Sequence, residues 1–182
     1  MKKILFLILL IIICAGCANN PNRVKLYSQK KVEKIMTKQY GETKIIGIKN
    51  SSDDKIEYTC KDVKYGFEYS CSAIKDGFTI DGGSPLWYSS STTNNYTSAY
   101  LDYVFDVEKE AISKIEKEYN VKFEKSPLIL RAPNKYDLER HKEAAYEFIE
   151  ILKNHDDRKL FEGQALFIST DKENLTKIWL YR

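Results

Sequence analysis

Histidine is almost missing from this chain of 182 residues; only His141 and His155 are present. On one helix, fourteen residues at about 1.5 Å rise put them roughly 21 Å apart, too far to share a metal ion or a proton. No metal or other cofactor is expected. The motifs that announce a nucleophile or a phosphate cradle are also lacking. There is no Gly-x-Ser-x-Gly elbow, no His-Glu-x-x-His and no phosphate-binding glycine loop. The nearest glycine-rich stretch, Asp81-Gly82-Gly83-Ser84-Pro85, reads as a tight turn. Charge of one sign is not in excess. The chain has 29 basic and 26 acidic residues, and without Lys2 and Lys3 the balance is 27 − 26 = +1. A nucleic-acid partner and an acidic tail are excluded on that balance. With 43% hydrophobic residues and many aromatics, so is intrinsic disorder. No apolar run reaches the roughly 20 residues that a spanning helix needs.

The amino terminus does carry a pattern. Lys2 and Lys3 precede the apolar run Ile4 to Ile13, and the small residues Ala15 and Gly16 stand directly before Cys17. A positive start, a short apolar middle and small residues at a cleavage point are the order of a secretory signal. With a cysteine straight after Ala-Gly, the segment resembles the lipobox of bacterial membrane lipoproteins. It departs from that pattern at Cys14, where the family usually has Leu, Val or Ile. The resemblance implies cleavage before Cys17 by a type II signal peptidase and a diacylglycerol on the Cys17 thiol. It covers only the signal segment; the globular part shares no more than the general look of uncharacterised lipoproteins. A single acyl chain binds a membrane marginally, so the diacyl group suffices for stable anchoring at about 0.8 kcal/mol per buried methylene. The expected organisation is therefore a signal peptide over 1–16, a lipidated cysteine and tether over 17–27, and a single globular domain over 28–182. The partner so implied is the membrane, reached through lipid on Cys17 on the extracytoplasmic face.

Two cysteines, Cys60 and Cys71, remain after processing. In an exported domain, a pair on neighbouring strands suggests a disulfide. Geometry sets the condition, since the Cα atoms must approach within about 7 Å. If even-numbered residues of the first strand face odd-numbered residues of the second, both sulfurs share a face; a one-residue slip separates them. Gly66, closing the turn Asp62-Val63-Lys64-Tyr65, fits the permissive register.

Along the mature chain, Ser28 reads as the N-cap of a helix with Val32, Ile35, Met36 and Tyr40 on one stripe and Gly41 as its stop. Strands are predicted over 43–49, 55–60 and 65–73, the last two with clear apolar–polar alternation. Phe78 to Ile80 suggests a short edge strand, and 81–95 reads as a long loop. A single long helix is predicted over 97–119, strands over 121–123 and 128–131, and a third helix opening at Pro133-Asn134 and ending near Asn154. Two final strands, 164–170 and 176–181, make a terminal hairpin. This order lacks the strand–helix alternation of a parallel sheet. The expected class is α+β, with antiparallel sheets and about three helices packed on one face.

No catalytic residues emerge. Asp102, Asp106 and Glu110 lie one helical turn apart and have a spacing that glycoside hydrolysis uses when it flanks a cleft, but on a helix such charges read as a wet face. Lys30, Lys31, Lys34 and Lys38 make the first helix basic along one side, suited to anionic lipid, wall polymer or plain solvent. Trp87 and Tyr88 stand out as an aromatic pair in a Ser/Thr/Asn-rich loop, a type of feature that stacks on sugars or anchors a protein partner. The functional expectation is a non-enzymatic binding module at the cell envelope, for another envelope protein, a peptide or a wall glycan. The alternative is an envelope-directed hydrolase whose residues meet only in the fold.

Overall fold

The computed structural model describes residues 24–78, 87–170 and 173–181. The expected signal segment, Cys17, the tether up to residue 23, residues 79–86 and the tip of the terminal turn lie outside them. The fold is α+β, with four helices and two four-stranded sheets among the described residues. The chain divides into two compact units, Met1–Tyr96 and Thr97–Arg182, where its sequence suggests one domain over 28–182.

In the first unit, helix α1 (Gln29–Tyr40) starts where expected. Ser28 is extended and its hydroxyl accepts the Lys31 N–H, while Gly41, at φ 92°, turns the chain out of the helix and donates to the Thr37 carbonyl. Val32 and Met36, one turn apart, are fully buried. Four strands follow as an antiparallel meander: β1 (Thr43–Ser51), β2 (Lys55–Asp62), β3 (Glu68–Phe78) and β4 (Trp87–Asn94). Alternation on β2 and β3 buries Tyr58, Cys60 and Asp62 beside Tyr69, Cys71 and Ala73. Gly66, at φ 81°, closes the connecting turn by donating to the Asp62 carbonyl at 2.9 Å.

Two expectations are corrected here. Much of the supposed loop 81–95 is strand β4, paired with β3 from Phe78↔Trp87 to Cys71↔Asn94. Its Ser/Thr/Asn run has no apolar alternation to betray it; β3 supplies the hydrogen-bonding template, and Phe78 ends β3 instead of opening a strand of its own. The disulfide is the second. The register is the permissive one, with Tyr58↔Cys71 and Cys60↔Tyr69, yet the cysteines are free thiols. They sit diagonally, not opposite, and diagonal neighbours on an antiparallel pair are about 7–8 Å apart. The thiols touch all the same: contact with Cys71 and then burial push the Cys60 thiol well above its ordinary range.

Helix α2 (Tyr96–Val107) begins on the last residue of the first unit and otherwise belongs to the second, where α3 (Lys109–Tyr119) follows it. They occupy the span expected as one helix, and the break falls at Glu108, which leaves helical geometry at ψ 16°. Leu101, Val104, Ile112 and Ile115 keep one buried stripe through it. Strands β5 (Lys122–Lys125) and β6 (Leu128–Arg131) pair antiparallel. Helix α4 (Leu138–His155) then crosses to β7 (Ala165–Ser169), which runs parallel to β6, and β8 (Asn174–Trp179) closes the antiparallel terminal hairpin. Asn134 folds the lead-in to α4 by accepting the Tyr136 and Asp137 N–H groups. The core stacks Phe123 on Phe148 at 4.0 Å with Phe105 edge-on to Phe148.

Candidate functional site

The residues singled out in the sequence lie on different elements of the two units. Trp87 and Tyr88 begin β4, not a loop. Tyr88 lies opposite Gly77 and is half-buried, while the side chain of Trp87 lies outside what the structure describes. Asp102 is exposed and ion-paired to Lys125 at 2.6 Å, and Asp106 and Glu110 are exposed too, so these carboxylates do form a wet face. Lys30, Lys31, Lys34 and Lys38 are all exposed, with the Lys31 ammonium over the Tyr27 ring at 3.7 Å. No set of three or more metal-ligating side chains converges among the described residues, and no described helix is long and apolar enough to cross a membrane.

The histidines have separate roles. His155 Nε2 lies 2.7 Å from Glu108 Oε1, joining the end of α4 to the break between α2 and α3, and the His155 carbonyl accepts the Tyr100 hydroxyl. An acid beside an imidazole is two-thirds of a hydrolytic triad, but the contacts of this pair bring no serine or cysteine to it. The imidazole of His141 is 1% exposed on the buried stripe of α4, with Nδ1 unpartnered. Burial, first, and the Arg140 charge hold it below the ordinary histidine value of 6.5 against the pull of Asp137.

A buried carboxylate anchors each unit. Asp62 accepts the Tyr96 hydroxyl at 2.7 Å and the Tyr65 N–H at 2.8 Å, beneath a cluster in which Tyr96 stacks on Tyr40 and meets Tyr69 edge-on. Asp156 caps the chain after α4, accepting the Phe161 N–H at 3.0 Å and the Tyr181 hydroxyl at 2.8 Å. Burial and then that bond raise the Tyr181 pKa. Both acids are spent on internal hydrogen bonds and belong to the architecture.

A groove of about 650 Å³ lies in the second unit, between α4 and β8. Helix α4 contributes Lys142, Tyr146, Ile149 and Lys153, which the 3.6-residue period puts on one flank. Thr176, Lys177, Ile178, Trp179, Leu180 and Tyr181 line the other wall. Tyr146 is 53% exposed and Trp179 46%, high values for large rings. The Lys177 ammonium lies 4.1 Å from the centre of the Trp179 ring. Lys142 and Lys153 pair with Glu139 and Glu150 at 2.7 and 3.0 Å, and both carboxylates stand out in solvent. The lining thus offers three cations, exposed rings and the hydroxyls of Tyr146, Thr176 and Tyr181, and includes neither carboxylate nor imidazole.

The sequence held part of this signal. The spacing Lys142, Tyr146, Ile149, Lys153 marks a second helix flank beside the core stripe, and Trp179 is one of only two tryptophans. That α4 and β8 face each other is invisible in it. In comparison with known proteins, the chain matches no family model, no curated protein and no solved structure.

Proposed function

We propose that this chain is a bacterial lipoprotein, held on the extracytoplasmic face of a membrane by lipid on Cys17, and that its globular part works by binding a partner at the cell envelope, not by catalysis. The lipobox-like run Ala15-Gly16-Cys17 supports the anchor. The observation that carries the binding reading is the α4–β8 groove, whose exposed Tyr146 and Trp179 are of the residue types that dominate binding hot spots. Trp87 and Tyr88, at the start of an edge strand, are a second contact candidate.

The anchor is tested by detergent phase partition: wild type enters the detergent phase and Cys17→Ser stays in the aqueous phase. A mutant that still partitions with detergent refutes it. The binding reading is tested by co-sedimentation with purified wall glycan and by cross-linking to envelope proteins. Wild type is compared with Tyr146→Ala/Trp179→Ala and with Trp87→Ala/Tyr88→Ala. Loss in the first double variant alone assigns the site to the groove. Loss in the second alone moves it to β4. If wild type retains nothing, binding at the envelope is the wrong reading.

A further inference from the structure

Among the described residues the outermost strands of the two sheets are β1, β4, β5 and β8, and exposed edges are normally blunted against pairing with other chains. Strand β1 carries two register shifts, between Ile45 and Gly47 and between Ile48 and Asn50. Strand β5 is four residues long and charged, Lys122-Phe123-Glu124-Lys125. Strand β8 pairs with β7 in continuous register from Thr176 to Trp179, its one shift lying at the Asn174 end, and Thr176 to Trp179 line the groove beside α4.

The hydrogen-bond phase of that edge is fixed by one contact. The Leu180 N–H donates to the Gln164 carbonyl at 3.1 Å, with Trp179 opposite Ala165 and Lys177 opposite Phe167. In an antiparallel ladder, bonded and non-bonded pairs alternate. Ile178 and Thr176 therefore bond to β7 along with Leu180, and Lys177 and Trp179 direct their N–H and C=O groups outward. These two residues are about 6.8 Å apart along the strand, the interval at which another strand presents its own donors and acceptors.

The geometry points to strand addition: the groove between α4 and β8 takes an extended acidic segment of a partner protein, which pairs with the outward backbone of Lys177 and Trp179 while its carboxylates meet Lys142, Lys153 and Lys177. This rests on the binding-module reading above and names its partner. A helix facing an open strand edge is a known arrangement for peptide capture, in which main-chain bonds supply affinity and flanking side chains supply choice. Charge makes the choice here, since three lysines line the groove and no carboxylate does. The exposed pairs of Lys142 with Glu139 and Lys153 with Glu150 hold weakly in water, so an incoming carboxylate displaces them readily. A polysaccharide would use the same cations but has no row of N–H and C=O groups to match the edge.

The test is fluorescence anisotropy on the full chain in non-ionic detergent. The probes are a labelled alternating Glu/Val nonapeptide, the same peptide N-methylated at alternate residues, and labelled polygalacturonate. The plain peptide binds, N-methylation on the pairing edge weakens it by about tenfold or more, and salt weakens it further. Lys177→Pro removes one outward N–H and leaves the β7 ladder intact, as an edge strand tolerates. It weakens the peptide about tenfold, against about threefold for Lys177→Ala, which removes only the charge. Equal affinity for plain and N-methylated peptides overturns strand addition, and this comparison stands even if the proline variant does not fold. Lysine-dependent binding of polygalacturonate alone overturns strand addition while leaving the binding module in place. A concentration-dependent dimer lost in Lys177→Pro replaces the foreign partner with a second copy of this chain. Retention of no probe at all counts against both readings.

Discussion

His141 gives the sharpest test of the second unit. It stands on the buried stripe of α4, four residues before Ala145 and seven before Phe148, with an unpartnered Nδ1. An unsatisfied buried polar atom costs about 1–3 kcal/mol. His141→Leu removes that penalty and adds a better helix former, against a repacking cost of about 1–1.5 kcal/mol for the change of shape. At neutral pH the variant is therefore as stable as wild type or up to about 2 kcal/mol more stable. The pH dependence discriminates better. Burial depresses the folded-state pKa of His141 below 6.5, so between the two values the unfolded chain binds a proton that the folded chain refuses. The stability this group contributes is complete above the unfolded value and is lost as pH falls below it. One proton sets the ceiling, about 1.4 kcal/mol per pH unit. The assay is urea unfolding at about pH 7.5 and about pH 5. In a Trp87→Phe background, Trp179 is the only tryptophan and reports on its own unit. The titratable groups common to both proteins contribute alike and cancel. Wild type loses more stability on acidification than His141→Leu; an equal loss refutes the reading of His141 as a buried neutral imidazole.

Two further outcomes concern the first unit. Tyr96→Phe deletes the hydroxyl that reaches the buried Asp62 at 2.7 Å, and a hydrogen bond to a charged group predicts a loss of about 1.5–3 kcal/mol in chemical unfolding; a change under about 0.5 kcal/mol contradicts that assignment. Cys60 and Cys71 are buried free thiols, so a thiol-specific maleimide leaves them unmodified in the native state and labels both on unfolding without reductant. Unfolded protein that resists labelling until reduced is disulfide-bonded, contrary to the diagonal geometry.

Local features of the fold were legible because their causes are local. Ser28 and Gly41 bound α1 through a cap hydroxyl and a left-handed turn. Tyr58, Cys60, Tyr69 and Cys71 recur at a period of two, and Gly66 turns the chain between them. The boundaries of β6, Leu128–Arg131, follow from four residues between a turn and a breaker. Strand β4 escaped notice because Ser89, Ser90, Ser91, Thr92 and Thr93 carry no hydrophobic signal; it is a strand by pairing. The break at Glu108 escaped because the apolar stripe continues across it.

The candidate site divides the same way. Sequence alone carries the lipobox-like run Ala15-Gly16-Cys17 on which the proposed anchor rests, since such a pattern is local and needs no fold. It also carries the period and polarity of the elements other than β4, and the basic and aromatic spacing of one flank of α4. Only the tertiary structure decided that this flank faces β8, that β8 is an edge, and that Lys177 and Trp179 direct their backbone outward. It likewise drew attention from Trp87 and Tyr88 to Trp179 and Tyr146. Periodicity and capping act within a few residues along the chain. The groove joins Lys142 to Tyr181 through a parallel β6–β7 pairing and an antiparallel hairpin, and such non-local contacts are chosen by the packing of the whole unit.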